Sequence, residues 1–224
     1  MSTLTIGIAT IGQAPRDDIK ALFAAHAASG AKLVLRGCLD GLTDAEIEAR
    51  RPLSGADTLY TRLRGDHDTT ISKAHVVERA ADTLQRLRDD GCDVVVFACT
   101  GDFPPVPGDA GVLFPSRVLN GVASALLPKG RLGLLVPLPE QAEKLKAKWV
   151  RPGLDIVVEA LKPSATDAET EAAALRLAAL QPDIVAMDCM GYSPETKAIV
   201  KAATGVPTIL AITATGRVMA EMIS

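Results

Sequence analysis

Two cysteines stand where this sequence could do chemistry. Cys99 closes the segment 93–101, Asp-Val-Val-Val-Phe-Ala-Cys-Thr-Gly, and Cys189 falls in 183–192, Asp-Ile-Val-Ala-Met-Asp-Cys-Met-Gly-Tyr. Each is a β-branched, apolar run too short for a free-standing helix and followed by a turn-forming glycine, so each reads as a buried parallel strand. In an open α/β sheet, ligands bind beyond the carboxyl ends of the strands, where both thiols would emerge. Two thiols from two similar halves point to acid/base chemistry on a small molecule, one thiol working from each side. Taken singly, a cysteine at the end of an apolar strand is more often a small buried hydrophobe. Equivalent placement in two halves shifts the balance toward function for Cys99 and Cys189, whereas Cys38 and Cys92 lack that support and read as packing.

The elements that must position these thiols follow from periodicity. Strands are expected at 4–10, 32–38, 58–64, 69–72 and 94–98, the third and fourth forming a hairpin about the turn Gly65-Asp66-His67-Asp68. Pro15, Asp17 and Asp18 mark a helix start, and Ser72 would cap a helix to about Asp90 with Ala74, Val77, Ala81, Leu84 and Leu87 on one face. The stretch 102–111 is rich in Pro and Gly and irregular; 112–114 reads as a strand and 115–127 as a helix. After Pro128-Lys129-Gly130 a second series runs: strands at 131–137, 154–160, 184–188 and 206–211, helices at 139–149, 167–180, 194–204 and 215–223.

Alternating strands and helices imply parallel sheets. The series superpose when Gly7 is laid on Gly133, Cys99 on Cys189 and Gly111 on Gly205, with an insertion at about 40–71 in the first. The expected fold is therefore α/β, two similar parallel-sheet domains related by pseudo-twofold duplication with a ligand cleft between them. The expected domains are 1–127 and 128–224, the last helix packing on the first domain.

Composition narrows the function classes. A chain of 224 residues with 48% hydrophobic content can bury a sizeable core, and a net charge of −3 offers no concentrated basic face for nucleic acid or an anionic membrane. Aromatic content of 3% leaves few platforms for a large flat cofactor. No apolar run reaches the roughly 18 residues of a membrane span. Four cysteines without a CxxC pair or zinc-like spacing, and without a secretory signal, argue against a disulfide framework or a metal site and place the chain in the reducing cytoplasm. Neither cofactor nor metal is expected, and the oligomeric state is left open, a homo-oligomer included.

Four motifs carry a resemblance over essentially the whole chain: 10–16 (Thr-Ile-Gly-Gln-Ala-Pro-Arg), 60–64 (Tyr-Thr-Arg-Leu-Arg), 99–104 (Cys-Thr-Gly-Asp-Phe-Pro) and 188–192 (Asp-Cys-Met-Gly-Tyr). They resemble the AroM protein family, and the duplicated architecture is similar to the wider aspartate/glutamate/hydantoin racemase superfamily. The resemblance implies cofactor-independent removal and return of a proton α to a carboxylate, with Cys99 and Cys189 as the catalytic pair. Thr10, Gln13, Thr100 and the amides after each cysteine are candidate donors to the developing charge, and Arg16, Arg62 and Arg64 candidate carboxylate clamps. Tyr60, at period two with the hairpin arginines, Gln141 as counterpart of Gln13, and Gly101, Met190, Gly191 and Tyr192 around the cysteines complete the substrate-binding candidates. Met190 stands where the first half has Thr100, and Asp188 precedes Cys189 directly; this asymmetry keeps a decarboxylase, a cis/trans isomerase or an elimination open. A non-catalytic carboxylate-binding protein is the reading from another class.

Overall fold

The computed structural model describes residues 3–65 and 67–224. Asp66, in the turn expected after Gly65, lies outside the described residues. The chain divides into two units, Met1–Pro115 with Thr215–Ser224, and Ser116–Ala214.

In the first unit the order is β1 (Thr5–Thr10), α1 (Asp17–Ala24), β2 (Lys32–Gly37), α2 (Asp44–Glu48), β3 (Thr58–Arg62), β4 (Asp68–Ser72), α3 (Lys73–Asp89) and β5 (Val94–Phe97). The sheet runs β2-β1-β5, all parallel, and β3 and β4 form a separate antiparallel hairpin. β1 is buried along its whole length, as its unbroken apolar pattern requires of a strand covered on both faces. The core gathers Ile71, Val76, Ala80, Leu84, Leu87, Phe97 and Phe114.

α3 shows two departures from expectation. Its inward stripe is Val76, Ala80, Thr83, Leu84 and Leu87, while Ala74 is exposed and Val77 and Ala81 lie at the margin of the core. Ser72 occupies the cap position but makes no side-chain cap bond; Asp57 Oδ1 instead accepts the Ala74 N–H at 3.1 Å. A carboxylate from the inserted segment thus satisfies a donor that the local sequence assigns to the serine.

The second unit holds most of α4 (Pro115–Leu126), then β6 (Gly130–Val136), a 3-10 turn at Pro139–Gln141 leading into α5 (Ala142–Ala147), β7 (Leu154–Ala160), α6 (Asp167–Ala179), β8 (Ile184–Met187), α7 (Pro194–Thr204), β9 (Thr208–Leu210) and the start of α8 (Ala211–Ile223). Its parallel sheet runs β7-β6-β8-β9. A reciprocal Thr166–Glu169 box starts α6; Ser193 and Pro194 start α7, and Gly205 ends it at φ 70°, where a left-handed residue is needed. The division falls after the first residue of α4, where the sequence placed it after residue 127. Bonds from α4 to the stretch that follows α5 account for this: Asn120 donates to the Lys148 carbonyl at 3.4 Å, and Arg151 donates to Ser124 Oγ at 2.6 Å and the Leu127 carbonyl at 2.9 Å.

The two sheets repeat one another residue by residue. Ala9 pairs with Phe97, and the Ala98 N–H continues to the Ala9 carbonyl at 2.7 Å; Leu135 pairs with Met187, and the Asp188 N–H continues to the Leu135 carbonyl at 2.8 Å. On the other side the Cys38 N–H meets the Thr10 carbonyl and the Leu161 N–H meets the Val136 carbonyl, both at 2.8 Å. Cys99 and Cys189 therefore hold one position of a duplicated frame. The third pairing corrects the sequence alignment. Residues 112–114 form only an isolated bridge, Val96 to Leu113, whose counterpart is Ala186 to Ile209, so Gly111 corresponds to Pro207 and not to Gly205.

Candidate active site

Both cysteines lie just past their strand ends and receive the same backbone bond. After β5 the Cys99 N–H bonds the Phe97 carbonyl at 2.7 Å, a three-residue turn that ends the strand. The Gly101 N–H then donates to Cys99 Sγ at 3.3 Å, and the Gly191 N–H donates to Cys189 Sγ at 3.4 Å. An N–H aimed at sulfur favours the thiolate over the thiol. Both glycines are needed for close approach: a Cβ at Gly101 would sit 3.0 Å from Phe103 and 3.1 Å from Leu59, and one at Gly191 would sit 3.0 Å from Pro163. The other two cysteines are disarmed. Burial pushes the Cys38 thiol up to about 12, and burial, together with Asp90 and Asp93, raises that of Cys92.

The β1–α1 turn and the inserted hairpin are built as one polar assembly. Thr10 Oγ1 accepts the Gly12 N–H at 3.3 Å, leaving its own O–H available to donate. Gln13 donates to the Leu42 carbonyl at 3.4 Å and accepts the Arg64 N–H at 3.3 Å, while Arg64 Nε donates to the Ala14 carbonyl at 2.7 Å. Arg16, whose side chain is 8% exposed, holds Asp18 through Nε at 2.9 Å and Nη2 at 2.7 Å. Arg62 bonds Asp68 at 3.0 Å and reaches Asp18 at 3.9 Å. Burial raises the Asp18 carboxyl, but Arg16 and Arg62 more than offset it and hold it below its ordinary value. Burial likewise opposes the charge on Arg62, and Asp68 with Tyr60 more than restores it.

The structure thus brings together Gln13, Arg16, Tyr60, Arg62 and Arg64, with each arginine engaging a protein acceptor. Arg16 and Arg64 line a cavity of about 430 Å³ with Pro15, Asp17, Asp18, Leu63 and Gly65, and neither Cys99 nor Thr10 is among its lining residues.

One residue essential to this assembly was not singled out from the sequence. Asp40 accepts the Ala14 N–H at 2.8 Å through Oδ1 and the Gly37 N–H at 2.7 Å through Oδ2, stitching the β1–α1 turn to the end of β2. Arg79 of α3 holds the carbonyls of Cys38 and Asp40 behind it. The available signal was Asp40 with a glycine three positions before it and another directly after it, an acid at a strand end.

Gly12 explains how closely the hairpin can approach. A Cβ there would fall 2.5 Å from both the Arg62 carbonyl oxygen and Thr61 Oγ1. Gly12→Ala is therefore expected to lower stability by about 1–3 kcal/mol, since a backbone carbonyl must move. A shift of the urea midpoint at unchanged slope checks this, and an unchanged midpoint contradicts it.

Around the second cysteine the candidates separate. Met190 is buried beside Cys189, as Thr100 is beside Cys99, and Gln141 is buried in the 3-10 turn after β6. Tyr192 is a fully buried core aromatic, and its hydroxyl donates to the Leu161 carbonyl at 2.6 Å. A phenol committed to a carbonyl inside the unit ties the loop after Cys189 to the end of β7. Asp188 turns its carboxylate into the interior, where it accepts Lys148 Nζ at 2.7 Å and Trp149 Nε1 at 2.9 Å.

Two α/β units on parallel sheets in matching register, each with a cysteine just beyond an equivalent strand, define the class: the aspartate/glutamate racemase type of fold. A family model described as AroM protein matches residues 6–223, and the chain belongs to the AroM family. Among similar solved structures, an arylmalonate decarboxylase is 17% identical with TM-score 0.61, covering 97% of this chain and 91% of its own. The maleate isomerase Iso of Pseudomonas putida S16 is 14% identical with TM-score 0.63, covering 99% and 93%. A glutamate racemase of Francisella tularensis subsp. tularensis SCHU S4, in complex with D-glutamate, is 14% identical with TM-score 0.60, covering 99% and 81%. At such identities the likeness establishes the fold. No curated protein matches the sequence. No helix among the described residues is long and apolar enough to cross a membrane.

Proposed function

We propose that this protein is a cofactor-independent racemase or isomerase of a small carboxylic acid, with Cys99 and Cys189 as its proton-transfer pair. The observation that carries the reading is the repeated strand end: two thiols at one register position, each with its sulfur accepting the N–H of a glycine two residues on. Racemisation needs two groups of matched acidity, one taking the α proton and the other returning it, with the roles exchanged for the reverse direction. Thr10 supplies an O–H donor at the strand end next to that of β5, and the arginines of the β1–α1 turn and hairpin supply planar forks suited to a carboxylate. Substrate binding would then exchange an internal acceptor of an arginine for the substrate's carboxylate.

The test is α-proton exchange in deuterium oxide over a panel of chiral carboxylic acids, followed by NMR, with Cys99→Ala and Cys189→Ala as controls. Exchange without loss of carbon dioxide, with interconversion of the enantiomers abolished in both variants, is the expected result. Evolution of carbon dioxide would identify a lyase, and interconversion of the enantiomers surviving both substitutions would end the two-thiol reading.

A further inference from the structure

The duplicated frame exposes one position where the units differ in charge beside a proposed catalytic thiol. Asp188 occupies the register of Ala98, so the first unit closes its strand with a methyl group where the second uses a carboxylate. That carboxylate is wholly buried and accepts bonds from Lys148, with a side chain 11% exposed, and from the indole of Trp149. Lys148 also lies 5.7 Å from the Trp149 ring centroid.

A buried ion pair is poor value for stability, since an apolar residue in its place is often as good or better. Ala98 demonstrates that the frame itself accepts one. An unneutralised carboxylate one residue from a thiol, in turn, would hold the proton on sulfur.

We propose that Lys148 and Asp188 are positioning residues for Cys189: bonded to each other and to Trp149, they anchor the end of β8 and keep the charge beside the sulfur neutral, so that the thiol can ionise. Glu140 before α5, Lys162 after β7 and Glu195 in the first turn of α7 are all exposed to solvent, and Tyr192 is bonded to the Leu161 carbonyl. The Gly191 N–H on Cys189 Sγ is the local donor whose aim the anchored strand end preserves.

The role assigned to the pair rests on Cys189 being catalytic, but its test reads the thiol and not turnover. Alkylation by iodoacetamide is followed for each cysteine by peptide mass mapping across neutral and alkaline pH, in the full-length protein. Lys148→Met is expected to slow Cys189 about tenfold at neutral pH relative to Cys99, a displacement of its alkylation midpoint by about one pH unit. Lys148→Met with Asp188→Asn, neutral again and still able to accept the Trp149 N–H, is expected to restore the ratio to within about twofold. Asp188→Asn alone leaves the ammonium without its counter-ion and is expected to accelerate Cys189, an arm that stands even where Lys148→Met does not fold. Loss of structure alone would be neither rescued by the second substitution nor reversed in sign by the third. An unchanged Cys189-to-Cys99 ratio in Lys148→Met, failure of the double variant to restore it, or a wild-type Cys189 no more reactive than buried Cys38 would each overturn the proposal. Absence of α-proton exchange in the wild type would instead defeat the racemase reading and leave the alkylation result standing.

Discussion

Cys99→Ala and Cys189→Ala should each lower racemisation by a factor of roughly 10² to 10⁴, the range that one positioned acid or base supplies. Yet each variant should keep a residual exchange that the other lacks. A two-base enzyme removes the α proton of one enantiomer with one thiolate and delivers a proton to the opposite face from the other thiol. With one thiol gone, the survivor can still remove a proton from the enantiomer whose hydrogen faces it, trade it with solvent and return a deuteron to the same face. Deuterium should therefore enter one enantiomer with retention in Cys99→Ala and the mirror enantiomer in Cys189→Ala, while neither interconverts the two at an appreciable rate. Chiral separation followed by mass spectrometry of each enantiomer reads this directly. The same enantiomer labelled in both variants would mean that the two thiols do not address opposite faces, and full activity in either would reduce the mechanism to a single cysteine.

The equivalence of the two thiols was legible because it is written in local pattern. Runs such as Ile184–Met187 and Leu154–Ala160 are short, β-branched and bounded by turn residues, and α7 carries its start in Ser193-Pro194 and its stop in Gly205. What sequence could not supply is what tertiary partners decide. Asp57 displaces Ser72 as the acceptor at the start of α3 from 17 residues away in the chain. The alignment through Gly111 and Gly205 slipped by two because both are left-handed glycines at turns, a role set by local backbone and not by sheet register. Asp40 and Lys148 were illegible for the same reason: an acid that bonds two amide groups and a lysine that neutralises a buried carboxylate look like ordinary surface charge until the chain is folded. Tyr192 shows the same limit: sequence left a donor at a cleft edge and a packed core aromatic equally open, and the Leu161 carbonyl of the same unit, which only the fold brings near, is its partner.

Cys38 yields the second large effect, and it concerns stability at alkaline pH. Its position corresponds to Leu161, so an apolar side chain suits the site, and burial raises the thiol from an ordinary 9.0 to about 12 against the opposing influence of Thr83 and nearby arginines. The native state therefore keeps this proton between pH 9 and about 12, while the unfolded chain has already released it. Where the unfolded state binds fewer protons, stability falls as pH rises; at about 1.4 kcal/mol per pH unit, the loss approaches roughly 4 kcal/mol by the top of that interval. The contribution is fully present below pH 9. Cys38→Ala removes this dependence at the cost of a small cavity, about 1–2 kcal/mol at neutral pH. Denaturant unfolding at a series of pH values should thus find the variant less stable than wild type at neutral pH, the gap closing above pH 9 and reversing near about pH 10.5. The tyrosines and lysines titrate in both proteins and cancel in the difference. A gap that stays constant through this range would show that Cys38 ionises in the native state as readily as in the unfolded chain, and would contradict the burial that keeps its thiol protonated.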